Sequence, residues 1–327
     1  MMSSHPDINI YQQAINNGAL FALKKPLVNA DEIEIAVRAA KEKRVLKSVQ
    51  SKDEKELSPH LEHLCEDGLC LEPNVRKWIR IASETPELPV VIHGETGTGK
   101  EEIAKLIAKQ RKRQEGDIPF LSVNCALLEG DLVHSLLFGH KKGSFSGAYN
   151  TTQGYIGEAH GGILFLDEIH TLSLACQQKL LRVLNDGVYN RIGETKELYS
   201  KFQVIAASTQ DLDDAVDSGH FLLDLRVRLT GCDIYLSPLR ERMADLPLLV
   251  ELFFSKQGIK ISSSELSPII HRCREFYWQG NIRQLFQCLR ALLAISHADG
   301  CGPLASNLPN LKTMHAPQRP PPPVLPF

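Results

Sequence analysis

The feature that most constrains this chain is the run Gly94-Glu95-Thr96-Gly97-Thr98-Gly99-Lys100, which fits the pattern Gly-x4-Gly-Lys. It follows the β-rich stretch Val90 to His93 and precedes Glu101 to Gln114, whose spacing predicts a helix. Strand, glycine-rich turn and helix in that order make a phosphate-binding loop. Its glycines let backbone N–H groups converge on phosphate oxygens, and the helix N-terminus adds a favourable dipole. Lys100 supplies a point charge for the β and γ phosphates. Gly94, Glu95, Thr96, Gly97, Thr98, Gly99, Lys100 and Glu101 are therefore the candidate nucleotide-binding residues. Glu101 stands where the general pattern carries Ser or Thr for magnesium.

A second element supports the first. Gly161-Gly162-Ile163-Leu164-Phe165-Leu166 reads as an apolar strand ending in Asp167-Glu168. Asp167 is the candidate for orienting a magnesium ion, and Glu168 the candidate base for the water that attacks the γ-phosphate. Phe120 to Val123 and Phe202 to Ala207 are further apolar strands. Apolar runs separated by helices predict an α/β fold with a parallel sheet covered on both faces. After Pro238 the strand signal fades, and Asp245 to Phe254, Ser262 to Cys273 and Asn281 to Ser296 predict a small helical domain. Asn281 is placed to cap the last of these helices, and Trp278 reads as a core or hinge anchor.

Composition narrows the function class. Lys plus Arg total 37 against 39 Asp plus Glu, which excludes a strongly basic nucleic-acid coat. No apolar run approaches the roughly 20 residues of a bilayer span, and the first residues lack a signal-peptide layout, so the expectation is a cytoplasmic protein. The eight cysteines are too scattered for a disulfide scaffold or a zinc tetrad and read as free thiols.

Together, residues 94–101 and 161–169 resemble the AAA+ ATPase domain of bacterial enhancer-binding proteins, the activators of RNA polymerase carrying sigma-54. The resemblance extends over roughly residues 63–300. Glu101 is usual in that family. The stretch Pro119 to Ala126 resembles the strand whose asparagine couples nucleotide state to the catalytic glutamate, which implies that role for Asn124. The run Leu137 to Ala148 resembles the loop that touches the sigma factor, usually ending Gly-Ala-Phe-Thr-Gly-Ala. This implies sigma contact through Gly143, Ser144, Phe145, Ser146, Gly147 and Ala148. The helix Gln177 to Leu184, with Gly187, Ile192 and Gly193, resembles the second pore-facing insertion.

Val204 to Leu212 resembles the sensor strand, with Thr209 where the family has Asn; a Thr presents fewer donors, which implies slower hydrolysis. Phe221 to Leu229 resembles the segment offering two arginines to the neighbouring subunit's nucleotide. Arg228 matches one, Leu222 replaces the other, and Arg226 lies close enough to be a substitute. Arg283, near the start of the last helix, resembles a second sensor on the nucleotide.

The resemblance implies ATP and Mg2+ as cofactors, a ring-shaped homo-oligomer (a hexamer) and sigma-54 RNA polymerase holoenzyme as partner. Residues 1–50 resemble the last strand and helix of a receiver domain, with Lys25 matching its lysine, and 51–62 read as a linker. Residues 63–238 are then the α/β ATPase subdomain and 239–298 a helical lid. The stretch 299–327 is a proline-rich tail with no visible helix-turn-helix, so specific DNA binding is not expected. The expected activity is ATP-driven remodelling of sigma-54 polymerase. The departures at Leu222, Thr209 and Ser144 leave open a nucleotide-binding modulator of related rings, or a truncated activator without function.

Overall fold

The computed structural model describes residues 69–127, 131–144 and 148–298, together with the two-residue strands Met2–Ser3, Leu23–Lys24 and Cys65–Glu66. Met2–Ser3 pairs in parallel with Leu23–Lys24. The helix expected at 31–49, Lys25, the linker 51–62, the tail 299–327 and Phe145 to Gly147 lie outside the described residues.

Five strands form one parallel sheet. They are β1 (Val90–His93), β2 (Phe120–Asn124), β3 (Ile163–Asp167), β6 (Gln203–Ser208) and β7 (Cys232–Tyr235). Their order across the sheet is β7-β1-β6-β3-β2. Side chains alternate between faces along a strand. Ile163 and Phe165 therefore join Val90, Ile92, Ile205 and Ala207 in one buried cluster, while Leu164 and Leu166 join Val91, Val204 and Ala206 in another.

Helices α1 (Pro73–Glu84) and α2 (Lys100–Glu115) cover the first face through Ile79, Ile103 and Ile107. Helices α5 (Leu174–Asp186), α6 (Leu212–Asp217) and α7 (Leu223–Arg228) cover the second through Leu180, Leu212 and Leu225. With both faces buried, the strands carry no polar stripe, which is why they read as continuous apolar runs.

Strand β7 is the one the apolar-run criterion passes over, because Asp233 interrupts it. That carboxylate lies 3.0 Å from His93 Nε2 on the adjacent β1, and the Arg226 guanidinium is 3.5 Å from it. These partners offset the cost of placing a charge in a sheet edge.

Two insertions leave the sheet. Between β2 and β3 the chain forms α3 (Asp131–Phe138), a loop, and the single turn α4 (Tyr155–Glu158). Between α5 and β6 it forms the hairpin β4 (Val188–Tyr189) and β5 (Leu198–Tyr199). The two meet: Lys141 N donates to Ile192 O at 3.0 Å, and Ile192 N to Gly139 O at 3.0 Å.

After the sheet come α8 (Leu246–Lys256), α9 (Ser263–Cys273) and α10 (Asn281–Ala298). Ser262 and Glu265 form a reciprocal cap at the start of α9. Phe253, Phe254, Trp278, Leu285 and Leu289 fill a core of their own, to which Leu239 and Cys70 also belong. Among the described residues no helix is long and apolar enough to cross a membrane.

Candidate functional site at the carboxyl ends of the strands

In an open α/β sheet, ligands bind where the strands end and the loops leave for the helices. The sequence-predicted residues Lys100, Asn124, Asp167, Glu168 and Thr209 converge at that edge. His93 ends β1, and the chain turns at once into the phosphate loop, pinned by Gly94 N donating to Ser208 O at 3.3 Å. Gly97 has φ +81°, and a Cβ there would sit 2.2 Å from Gly280 O, so backbone conformation and space both require glycine. Thr98 Oγ1 donates back to Glu95 O at 2.8 Å and tightens the turn.

Lys100 opens α2 with its side chain 7% exposed. Its ammonium donates to Gly94 O at 2.7 Å and Glu95 O at 3.3 Å, and lies 3.9 Å from Glu168 Oε1. Burial pulls its pKa below the ordinary lysine value, opposed by the charges of Glu168 and Asp167. Asp167, half-buried, is pushed above the usual carboxylate range by burial and then by Glu168, with Lys100 opposing. Shifts of this kind on Lys100 and Asp167, side by side in a cleft, mark a candidate functional site.

Glu168 follows in a left-handed conformation, φ 52°. Its Oε2 accepts from Thr209 Oγ1 at 2.8 Å and from Thr209 N at 3.3 Å. His170 Nδ1 is 3.5 Å from the same oxygen. Thr209, at the position that resembles the sensor, is thus turned to Glu168. Asn124, expected to reach Glu168, instead donates from Nδ2 to Asp167 Oδ2 at 3.5 Å, while its Oδ1 accepts from Ala126 N at 3.0 Å. That backbone bond fixes the amide beside its parallel-strand neighbour Asp167, with which it is in register.

The helical segment closes over the loop. Arg240 grips Glu95 through both guanidinium ends, at 2.7 and 2.6 Å. Asn281, fully buried, donates to Glu95 Oε2 at 3.1 Å and to Thr96 O at 3.0 Å, and accepts from Leu239 N at 2.7 Å. Asn281 therefore does not cap α10; at φ 50° its side chain is spent on the phosphate loop and on Leu239. Arg240 and Asn281 are the site residues that sequence reasoning missed. The signal available was the run Pro238 to Arg242, which together with Trp278 to Leu285 completes the resemblance in the helical domain, and the Asn that follows Gly280.

Arg283 N donates to Gly97 O at 3.3 Å. Its side chain joins Lys100, Asn124, Asp167 and Glu168 in lining a cavity of about 520 Å3, whose other walls include Leu249 and Phe286. That volume suits a nucleotide-sized ligand.

Arg228 is not part of this cavity. It lies exposed at the end of α7, donating from Nε to Leu184 O at 3.0 Å, beside Gly161, Gly162 and Phe202 at the opposite edge of the sheet. Arg226 is committed within the chain: Nε and Nη2 bond Asp213 at 2.9 and 3.3 Å. Leu222 packs against the core while its N–H donates to Gln177 Oε1 at 2.8 Å.

Of the sigma-contact candidates, Gly143, Ser144 and Ala148 are described. Gly143 N donates to Ala148 O at 2.8 Å, closing the loop at its base, and Ser144 sits against Gly193 of the second insertion. Cys70, Cys125, Cys176, Cys232, Cys273 and Cys288 are buried and form no disulfide with one another. Burial pushes the Cys125 thiol, near Asp167, up to about 12, so it is inert at neutral pH.

Known proteins place this geometry. Residues 71–235 match the sigma-54 interaction domain. The DNA-binding transcriptional regulator NtrC of Azospirillum brasilense is 39% identical over 241 residues, covering 71% of this chain and 50% of that protein. A Nif-specific regulatory protein of Rhodobacter capsulatus is 42% identical over 235 residues, covering 70% of this chain and 39% of the relative. The chain thus spans about half the length, or less, of these curated relatives. The crystal structure of NtrX from Brucella abortus in complex with ATP superposes with a TM-score of 0.63 at 29% identity, covering 95% of this chain and 70% of that one. The parallel sheet, the phosphate loop and the paired carboxylates are those of an AAA+ α/β fold, and the chain belongs to the sigma-54 interaction domain family, whose domains are AAA+ ATPases.

Proposed function

We propose that this chain binds and hydrolyses ATP in a homo-oligomeric ring, a hexamer, and uses the cycle to remodel sigma-54 RNA polymerase holoenzyme toward the open promoter complex. Residues 63–238 are the α/β motor and 239–298 its helical lid, working in the cytoplasm. The observation that carries the reading is the convergence of Lys100, Asp167, Glu168 and Asn124 on one nucleotide-sized cavity, with Thr209 bonded to Glu168.

The loop N–H groups from Gly94 to Glu101 would bind the phosphates, Lys100 exchanging its carbonyl partners for phosphate oxygens. Arg283 would reach the nucleotide from the lid. Asp167 fits a hard divalent ion: it offers carboxylate oxygen, and burial with its proton affinity raised is a strain a cation relieves. Mg2+ is commonly held by one or two carboxylates together with water and substrate phosphate, a role open to Asp167. The ion would neutralise charge building on the transferring phosphoryl group. Glu168 would accept the proton of the attacking water, Thr209 would donate to the γ-phosphate, and Asn124 would orient Asp167.

Arg228, at the far edge of the sheet from its own Lys100, would serve a neighbouring subunit's nucleotide. The loop carrying Gly143, Ser144, Phe145, Ser146, Gly147 and Ala148 would bear on the sigma factor, driven through its contact with the second insertion at Ile192.

A second reading has one specific support. Leu222 is packed away and Arg226 is paired to Asp213 and Asp233, which leaves Arg228 as the exposed arginine of α7. An arginine finger contributes about 10³ or more to turnover. Loss of one favours a nucleotide-binding modulator that hydrolyses poorly.

Steady-state ATP turnover across protein concentration, against Glu168→Gln, separates the readings. Cooperative turnover that the mutation abolishes supports the motor, and ATP-dependent open complexes with sigma-54 holoenzyme then complete the case. Tight binding with flat, mutant-like turnover supports the modulator.

A further inference from the structure

Glu168 Oε2 has three polar neighbours, and two of them, both donors, come from one residue. Thr209 contributes its hydroxyl at 2.8 Å and its N–H at 3.3 Å; His170 Nδ1 stands at 3.5 Å. The state of His170 follows from counting protons. The Ser208 hydroxyl owns one, and it goes to Gln210 O at 2.6 Å. The same oxygen accepts from Gln210 N at 3.2 Å. His170 Nδ1, 3.0 Å from that Ser208 oxygen, must therefore be the donor of the pair. The imidazole carries its proton on Nδ1, donated to Ser208 Oγ, with Glu168 Oε2 lying 3.5 Å from the same nitrogen.

The ring is well fixed. It sits on the turn Ile169–Thr171, closed by Thr171 N and Thr171 Oγ1 both donating to Glu168 O, at 2.9 and 2.8 Å. Its side chain is 11% exposed, and burial lowers its pKa, which keeps it neutral.

A threonine hydroxyl has one proton and cannot donate to Glu168 and to a phosphate together. When Thr209 turns to the γ-phosphate, as the proposed function requires, Oε2 is left with the Thr209 N–H and His170. Oε1 meanwhile lies 3.9 Å from the Lys100 ammonium, whose charge attracts the carboxylate.

We propose that His170 is a positioning residue for Glu168, holding the carboxylate in line through Nδ1–H once the Thr209 hydroxyl has left it for the substrate. The inference rests on Glu168 acting as base and deepens that reading.

Two substitutions in the full chain test it. His170→Phe keeps the ring volume without the donor; His170→Asn places an amide N–H near the position of Nδ1–H. His170→Phe is expected to lower kcat about tenfold while ATP affinity and KM hold, and His170→Asn to recover most of it. A purely structural role would lower melting temperature in both variants and spare neither constant. His170→Phe with near wild-type kcat, or a folded His170→Asn as poor as the Phe variant, overturns the proposal.

The 15N shifts of the His170 ring supply a second readout that needs no turnover. A neutral Nδ1–H tautomer supports the hold, and an Nε2–H tautomer overturns it. Wild-type turnover no higher than Glu168→Gln would sink the hydrolytic reading, and the tautomer would then decide the His170 contact by itself.

Discussion

Replacing Asn281 with Ala tests whether the helical segment and the phosphate loop are one mechanical unit. Asn281 is fully buried, and three of its contacts are lost at once. The Leu239 N–H loses a 2.7 Å acceptor inside the protein, which costs about 1–3 kcal/mol for an unpaired buried donor. The bonds to Glu95 Oε2 and Thr96 O also go. Because Arg240 still holds Glu95, these contribute about 1 kcal/mol, the lower end for such bonds. The backbone at φ 50° adds about 1 kcal/mol of strain for Ala. Together the expected destabilisation is about 3–5 kcal/mol, large for one substitution.

The sequence has two tryptophans, and Trp278, 3% exposed in the helical core, reports the event directly. Urea unfolding in a Trp78→Phe background, followed by fluorescence, isolates that core. Asn281→Gly, which tolerates the left-handed backbone, should recover about 1 kcal/mol relative to Ala. An Ala variant within about 1 kcal/mol of wild type, or a Gly variant no better than Ala, would refute the accounting.

Three further outcomes are expected. Arg228→Ala should cut ATP turnover by about 10³ at assembled concentrations with little change in melting temperature, whereas Arg226→Ala should lower melting temperature through its ties to Asp213 and Asp233; thermal scans beside turnover assays distinguish them. Gly97→Ala, whose Cβ would meet Gly280 O at 2.2 Å, should abolish nucleotide binding measured by a fluorescent ATP analogue. Hydrogen bonding from Arg240 holds the Glu95 carboxyl below its ordinary 4.5, so its stabilisation is full above that pH and disappears as the pH falls through the lowered value. Acid titration of stability should therefore flatten in Glu95→Gln, modestly, since Glu95 is partly exposed and solvent-screened.

What the sequence made legible was local. The phosphate loop and β3 depend on consecutive residues, so Val90–His93 and Ile163–Asp167 fall where the apolar runs placed them. Helix α2 extends one residue further at each end than its periodicity indicated. The family, too, was legible, because Glu101 and the Leu137–Ala148 run are unusual strings.

Contacts between distant residues were not legible. Asn281 looked like a helix cap because its neighbours in sequence are a helix; its partners Glu95 and Thr96 are more than 180 positions away. Thr209 resembles a sensor position, but its bond to Glu168 depends on the turn of that residue into a left-handed conformation, which neighbouring sequence does not signal. Strand β7 went unseen because a charged Asp233 breaks an edge strand whose His93 and Arg226 partners lie elsewhere in the chain.

The order of strands has a consequence during synthesis. β1 lies between β6 and β7, yet it is made first, and His93 meets Asp233 from 140 residues away. At ribosomal speeds, the apolar Val90-Val91-Ile92 strand waits on the order of ten seconds for its last neighbour. Until β6 is made both of its edges offer unpaired backbone groups to any passing strand, and until β7 is made one still does. Helices α1 and α2, which flank it in sequence, can cover one face meanwhile but neither edge. Nascent chains of this protein should accordingly depend on chaperones that shield strand edges, and should aggregate most readily when synthesis stalls between β1 and β6.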